Sequence, residues 1–301
     1  MHRAILSQIE ALFNRAPLDE ILINGCHNME LLGSERQVQA SLFVDDLSMI
    51  HSLQDLAYRQ GVRLDPLQPA AGGLLEFGNQ LCLRWHALLP PIARDGPLLS
   101  LRRHRLAQLR PEDFGDDEHL ALLRQELSED SALFIVGPTG AGKTSFLMCL
   151  LQALASEQRV AILEQTPEIP RLAPAWIRVC AQASDLSGQG AFTLQQVFDE
   201  LLRLRPDRVV VGELRQQEAG VLRRSLLAGH GGVWCTLHAE GAAGLLLRLA
   251  DLSGGTEEQW AGLLGLQKSL LVVMQRKRPR LREAWIFRNS RWDLIFSAKE
   301  K

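Results

Sequence analysis

Nine residues constrain this chain more than any others: Gly137-Pro138-Thr139-Gly140-Ala141-Gly142-Lys143-Thr144-Ser145. They match GxxxxGK[ST] without a gap, directly after the apolar run SALFIV and directly before the helix-forming SFLMCLLQAL. Glycines 137, 140 and 142 permit a tight loop whose backbone N–H groups converge on phosphate oxygens, reinforced by the positive end of the following helix. Pro138, Thr139 and Ala141 fill the loop. Lys143 is expected to reach the β and γ phosphates and Thr144 to hold Mg²⁺ through its hydroxyl, with Ser145 the next helical residue rather than a second metal ligand. A chance glycine-rich turn has no reason to sit between a strand and a helix in this order. The loop therefore predicts ATP and Mg²⁺ as ligands.

The surrounding sequence extends that reading into a fold. From 131 onward short apolar strands (SALFIV, RVAIL, WIRVC, RVVV, VWCTL) alternate with amphipathic helical segments, which predicts a parallel-rich α/β sheet covered on both faces. Before it the grammar differs. Ile5, Leu6, Ile9, Leu12 and Phe13 recur at helical spacing, Asp45-Asp46 can cap a helix running to Gly61, and LLEFGNQLCLRWHALLPP reads as a hairpin turned at Gly78-Asn79. Residues 1–105 are thus expected to form a small α+β domain, 106–130 a polar linker ending in a short helix, and 131–301 the phosphate-loop domain.

Composition narrows the function classes. No apolar stretch is long enough to span a bilayer and the N-terminus lacks a signal-peptide layout, so a cytoplasmic chain is expected. The five cysteines are scattered without a CxxC pair, which argues against a disulfide framework and a zinc site. Residues 1–130 carry 12 basic and 19 acidic side chains, so no nucleic-acid partner is expected. The basic run Arg276, Lys277, Arg278, Arg280 and Arg282 reads as a solvated strand edge, with a contact to anionic lipid or a partner as the alternative.

Taken together the motifs resemble a known family. RPDRVVVGELR (205–215) and AGHGGVWCTLHAEGAAGLLLRL (228–249) are similar to the Walker B and His boxes of the type II/type IV secretion and type IV pilus traffic ATPases. ILEQTPEI (162–169) looks like their Asp box, and SGQGAFTLQQVFDELLRLRPDR like the helix and arginine-bearing segment before Walker B. LINGCHNMELL and RWHALLPPIARDGPLLSLRRHR resemble the N-terminal domain of the CpaF-like tight-adherence pilus ATPases. The resemblance implies a small N-terminal domain followed by a RecA-like domain, assembly as a homo-oligomeric hexamer at the cytoplasmic face of the inner membrane, and a platform protein of the machine as partner. ATP would lie between domains and neighbouring subunits.

Roles follow residue by residue. The resemblance makes Glu168 the carboxylate that activates water, with Glu164 second. Glu213, at the end of an apolar strand, is the candidate magnesium-side acid, a surface acid being the alternative. His238 ends VWCTL, where a parallel sheet presents ligands, and the His box implies a role in sensing the γ phosphate; His230 reads equally well as functional or structural. Arg102, Arg103, Arg203, Arg205 and Arg215 are candidates for neutralising phosphate charge. Two departures stand out: Gln165 where the Asp box usually has Asp, and Glu240 where the His box usually has Asn. They motivate one rival, a nucleotide-gated scaffold with little hydrolysis. A nucleic-acid motor on the same sheet is the other.

Overall fold

The computed structural model describes residues 3–77, 81–103, 109–128, 130–155, 157–164, 169, 173–182, 190–230, 232–277 and 280–298. Contacts divide them into two compact units, each with its own sheet.

The first unit opens with α1 (Arg3–Arg15) and then β1 (Glu20–Asn24), β2 (Asn28–Leu32) and β3 (Arg36–Gln39). After α2 (Asp46–Arg59) come β4 (Ala70–Glu76), β5 (Cys82–Leu88) and β6 (Leu98–Arg103). The Asp45 side chain accepts from Ser48 N at 2.7 Å, so the expected cap starts α2. The six strands are wholly antiparallel in the order β3-β2-β1-β6-β5-β4. β4 and β5 pair as the predicted hairpin does, while its turn at Gly78-Asn79 lies outside the described residues. One face buries Ile21, Ile23, Leu83, Trp85, Leu99 and Leu101 against Ile9 and Phe13 of α1 and Met49, Leu53 and Leu56 of α2. Trp85 Nε1 donates to Gln60 Oε1 at 2.8 Å, which satisfies the polar atom that burying an indole brings inside.

The second unit alternates as its sequence demands: β7 (Ala132–Val136), α4 (Lys143–Leu154), β8 (Val160–Glu164), β9 (Ile177–Cys180), α5 (Leu194–Arg203), β10 (Arg208–Val211), α6 (Gln216–Leu227), β11 (Val233–Leu237), α7 (Gly241–Ser253) and α8 (Glu257–Gly265). β12 (Ser269–Met274), β13 (Leu281–Arg288) and β14 (Arg291–Ser297) follow. The strand order is β14-β13-β12-β7-β11-β10-β8-β9. Every pair from β12 to β9 is parallel, whereas β13 and β14 add an antiparallel flank. All five residues of each of β7, β8 and β11 are buried, as a sheet covered on both faces requires.

Two expectations change in this unit. Of the 106–130 stretch, expected as a linker, the described residues 109–128 group with this unit: a single helical turn (Pro111–Asp113) and α3 (Asp117–Glu126) flank Phe114, whose buried ring centre sits 5.2 Å from that of Phe146 of α4. Glu126 at the end of α3 pairs with Lys268 at 2.8 Å and Arg288 at 3.2 Å. The basic run, expected as a solvated strand edge, is exposed at Arg276, Lys277 and Arg282 but is divided between a connection and an inner strand of the sheet. Arg276 and Lys277 follow the end of β12, Arg280 precedes β13 and Arg282 lies on β13, which is paired on both sides by β12 and β14; Arg278 lies outside the described residues. The sequence reading failed because three strands of mixed direction follow a run that otherwise alternates strand and helix.

Candidate nucleotide site

In a parallel sheet the C-terminal strand ends share one edge, and the loops leaving them form the ligand crevice. Here β7, β11 and β10 bring Gly137, His238 and Glu213 to that edge. Gly137 has φ 145°, and a Cβ added there would stand 2.4 Å from the Met274 carbonyl oxygen, so only glycine lets β7 turn away so close to β12. Gly142 (φ 88°) is the N-cap of α4, whose first residue is Lys143. Thr144 and Ser145 follow in the first turn, both partly buried.

Lys143 is buried, and its Nζ donates to Gly137 O at 2.9 Å and Pro138 O at 3.2 Å. It also lies 3.3 Å from His238 Nδ1. Nδ1 also lies 3.2 Å from Gly137 O, so it stands between a donor and an acceptor: it accepts from Lys143 when unprotonated and donates to the carbonyl when protonated. Nε2 in turn faces Glu213 Oε1 at 3.2 Å. Lysine, imidazole and carboxylate thus form one chain along the edge. Burial pushes the Lys143 ammonium below its ordinary value, against the opposing pull of the Glu213 charge.

Burial acting alone would raise Glu213; the hydrogen bond and charge of Arg215, with His238 and Lys143, outweigh it and hold the carboxyl below the usual range. Arg215 reaches Glu213 Oε2 through its terminal nitrogen at 2.7 Å and Nε at 3.2 Å. The spacing between Glu213 and His238 is fixed by the backbone, because Thr236 Oγ1 donates to Gly212 O at 2.6 Å and Leu214 N to Thr236 O at 2.7 Å. These bonds tie the ends of β10 and β11 together.

Other sequence-predicted residues are dispersed. Glu164 is buried at the end of β8, on the same edge but beyond β11 and β10 from the loop. Glu168 and Gln165 lie outside the described residues. Arg203 pairs with Glu200 at 3.0 Å and Arg205 takes up a left-handed turn at φ 51°; both precede β10, at the edge opposite the phosphate loop. His230 sits at that opposite edge too, lining a cavity of about 470 Å³ with Asp130, Glu157, Gln158 and Asp207. Arg102 is exposed on β6, and Arg103 is engaged inside the first unit, donating to Leu18 O (2.9 Å) and Phe13 O and lying 5.3 Å from the Phe13 ring centre. Two arginines absent from the sequence-derived set do reach the loop. Arg276 Nε donates to Thr139 O at 2.8 Å, and a terminal nitrogen of Arg280 comes within 3.0 Å of where a Cβ on Gly142 would be.

A parallel strand, a glycine loop and a helix opening on Lys-Thr, with histidine and glutamate from the next two strands, define a RecA-like P-loop protein. Comparison with known proteins gives the family. The type II/IV secretion system protein model matches residues 78–284, and the chain belongs to that family. It is 35% identical over 217 residues to a putative conjugal transfer protein of Mycobacterium tuberculosis, covering 70% of this chain and 62% of that protein. It is 30% identical over 248 residues to the conjugal transfer protein TrbB of Rhizobium radiobacter, covering 78% of this chain and 71% of that protein. The X-ray structure of the Legionella pneumophila ATPase DotB superposes with a TM-score of 0.65 at 16% identity, covering 94% of this chain and 79% of that one, and shows the shared fold. The chain spans about 62% of the length of the Mycobacterium tuberculosis relative.

Among the described residues no cluster of three or more His, Cys, Asp or Glu side chains could cage a metal ion, and no helix is long and apolar enough to cross a membrane. The first fact is compatible with Mg²⁺, a hard cation held with nucleotide by only one or two protein oxygens. Thr144 and Glu213 offer such oxygens, with the Glu213 carboxylate ionised.

Proposed function

We propose that the chain is an ATP-hydrolysing motor subunit of a bacterial type IV secretion, conjugation or pilus machine, working as a homo-oligomeric ring, a hexamer, on the cytoplasmic side of the inner membrane against a platform protein. The observation that carries the chemistry is the chain Lys143–His238–Glu213 at the edge of a loop shaped for phosphate. The names of the conjugal-transfer relatives favour the secretion and conjugation side over a tight-adherence pilus.

Each side chain then has a task. Backbone N–H groups of the loop from Thr139 onward and the α4 N-terminus would hold the phosphates. Lys143 would exchange the carbonyls of Gly137 and Pro138 for phosphate oxygens, leaving His238 Nδ1 to the Gly137 carbonyl alone. Through His238 and Glu213 the ends of β11 and β10 would register whether the γ phosphate is present. Mg²⁺ bound with ATP, held on the protein side by Thr144 and Glu213, would neutralise charge on the transferring phosphoryl group. Glu168, with Glu164, would orient the attacking water. Arg203 and Arg205 face away from their own phosphate loop, so their contribution would go to a neighbouring copy.

Steady-state phosphate release by the full chain, with sedimentation in the presence and absence of a slowly hydrolysed ATP analogue, tests this reading. ATP turnover and a nucleotide-dependent shift toward a hexamer are expected. A protein that binds ATP, assembles and releases no phosphate would instead be a nucleotide-gated scaffold.

A further inference from the structure

The turn between β12 and β13 borders the phosphate loop from the side opposite His238. β12 runs parallel to β7 with Val273 opposite Val136, so the two strands end together and the turn leaves beside the loop. Gln275 N donates to Arg280 O at 2.8 Å and closes the turn. Leu281 N donates to Phe114 O at 2.8 Å and fixes its far end. Held in this way, Arg276 meets the loop tip at Thr139 O, and Arg280 stands at the Gly142 cap of α4, its guanidinium 5.9 Å from the Phe114 ring centre.

Two cations, Arg280 and Lys143, therefore meet at one helix N-terminus. The helix dipole places its positive end there, so they repel it as well as each other. A multiply charged anion entering the loop converts that repulsion into attraction. Arg276 acts on geometry instead. In a trans peptide C=O and N–H point in opposite directions, so a guanidinium holding the Thr139 carbonyl turns the Gly140 N–H the other way. That fixes one donor of the loop before any ligand arrives.

We propose that Arg280 is a direct contact to the nucleotide phosphates, supplied by the same chain as the P-loop, and that Arg276 is a positioning residue holding the loop tip in its phosphate-ready form. The proposal rests on the reading of residues 137–145 as a nucleotide site and adds an element to it that no sequence motif marks.

The test uses the full chain with fluorescent ATP, ADP and AMP in Mg²⁺, comparing the parent with Lys143→Ala, Arg280→Ala, Arg280→Lys, Arg276→Ala and Arg276→Lys, each checked for an unchanged melting curve. Arg280→Ala is expected to weaken ATP and ADP by about tenfold and AMP by less, with Arg280→Lys recovering part of the loss as a point charge without the guanidinium fork. Arg276→Ala is expected to raise KM several-fold with a smaller change in kcat, and Arg276→Lys to restore it, since an ammonium can also donate to Thr139 O. Arg280→Ala that binds all three nucleotides within twofold of the parent overturns the phosphate contact, as does a loss equal for ATP and AMP. Arg276→Ala with parental KM overturns the positioning role. If Lys143→Ala is defective while the turn variants are normal, this proposal alone falls. If the parent binds no nucleotide, or Lys143→Ala binds as the parent does, the nucleotide-site reading falls and takes the proposal with it.

Discussion

The two units treat their charged side chains in opposite ways. In the antiparallel unit Arg103 is consumed by structure, donating to the backbone carbonyls of Leu18 and Phe13, and Arg63 is locked to Asp65. At the parallel edge the charged groups face one another around an anion-shaped loop: Lys143 turns back on its own loop, Glu213 is shared between Arg215 and His238, and Arg280 stands at a helix N-terminus. The first pattern is complete as it stands, while the second is completed by a ligand. A parallel sheet gathers its strand ends on one side, whereas an antiparallel one alternates them, so only the second unit can assemble such an edge from consecutive strands.

The largest effect that would break this contrast is at Lys143. Lys143→Ala should lower ATP turnover by roughly a hundredfold or more while the protein stays folded, as phosphate release and circular dichroism would show together. Gly137→Ala should act comparably through shape, since its methyl would strike the Met274 carbonyl at a backbone angle that alanine resists. Normal turnover in both would leave the edge without a function.

Next in size is Glu213→Gln, which keeps the side-chain shape and removes the charge shared by Arg215 and His238. About a tenfold to hundredfold loss of turnover is expected, with ATP affinity changed little. Turnover equal to the parent would reduce Glu213 to a partner for Arg215.

A sharper comparison comes from the first unit. Arg103→Ala leaves two carbonyls without their charged donor and should cost about 1–3 kcal/mol in urea unfolding, with nucleotide affinity unchanged. Weaker ATP binding without loss of stability would instead support the nucleotide role that the sequence resemblance implies for Arg102 and Arg103.

The smallest effect concerns Glu218, which is buried and accepts from Arg215 N at 3.2 Å. Burial raises its carboxyl, although backbone hydrogen bonds oppose the shift. A carboxyl raised on folding contributes stability below its unfolded value and loses it as pH rises through the folded one. Glu218→Gln, which can still accept the same bond, should therefore gain on the parent as pH rises from the carboxylate range to neutrality, by less than the Arg103 effect. Parallel melting-temperature curves against pH would contradict this.

Much of this architecture is legible in residue order because its causes are local. The loop 137–145, the Asp45 cap, the β4–β5 pairing and the uniform apolarity of β7, β8 and β11 each occupy one short window. The positions of Glu213 and His238 were likewise readable from the ends of apolar strands. What was hidden depends on distant pairing. Arg276 and Thr139 are 137 residues apart, and nothing in ARG-LYS-ARG composition distinguishes a turn beside a phosphate loop from a solvated edge. The 106–130 stretch reads as a linker because it is polar and acidic, yet Phe114 and the Glu126 pairs attach its described residues to the second unit. Arg103 looked like a ligand contact because sequence cannot show which carbonyls a guanidinium will meet.

The place of β7 at the centre of its sheet also bears on how the protein is made. One neighbour, β11, begins at Val233, and the other, β12, only at Ser269, so a ribosome must deliver most of the chain before the strand that carries the loop is paired on both sides. Until then β7 exposes backbone donors and acceptors along an apolar strand, the kind of edge on which incomplete chains join to one another. Long-range parallel pairing of this sort also closes slowly. The nucleotide pocket is thus among the last parts of the molecule to exist, and a nascent chain cut short before β12 would carry the whole phosphate-loop motif with only half of its support.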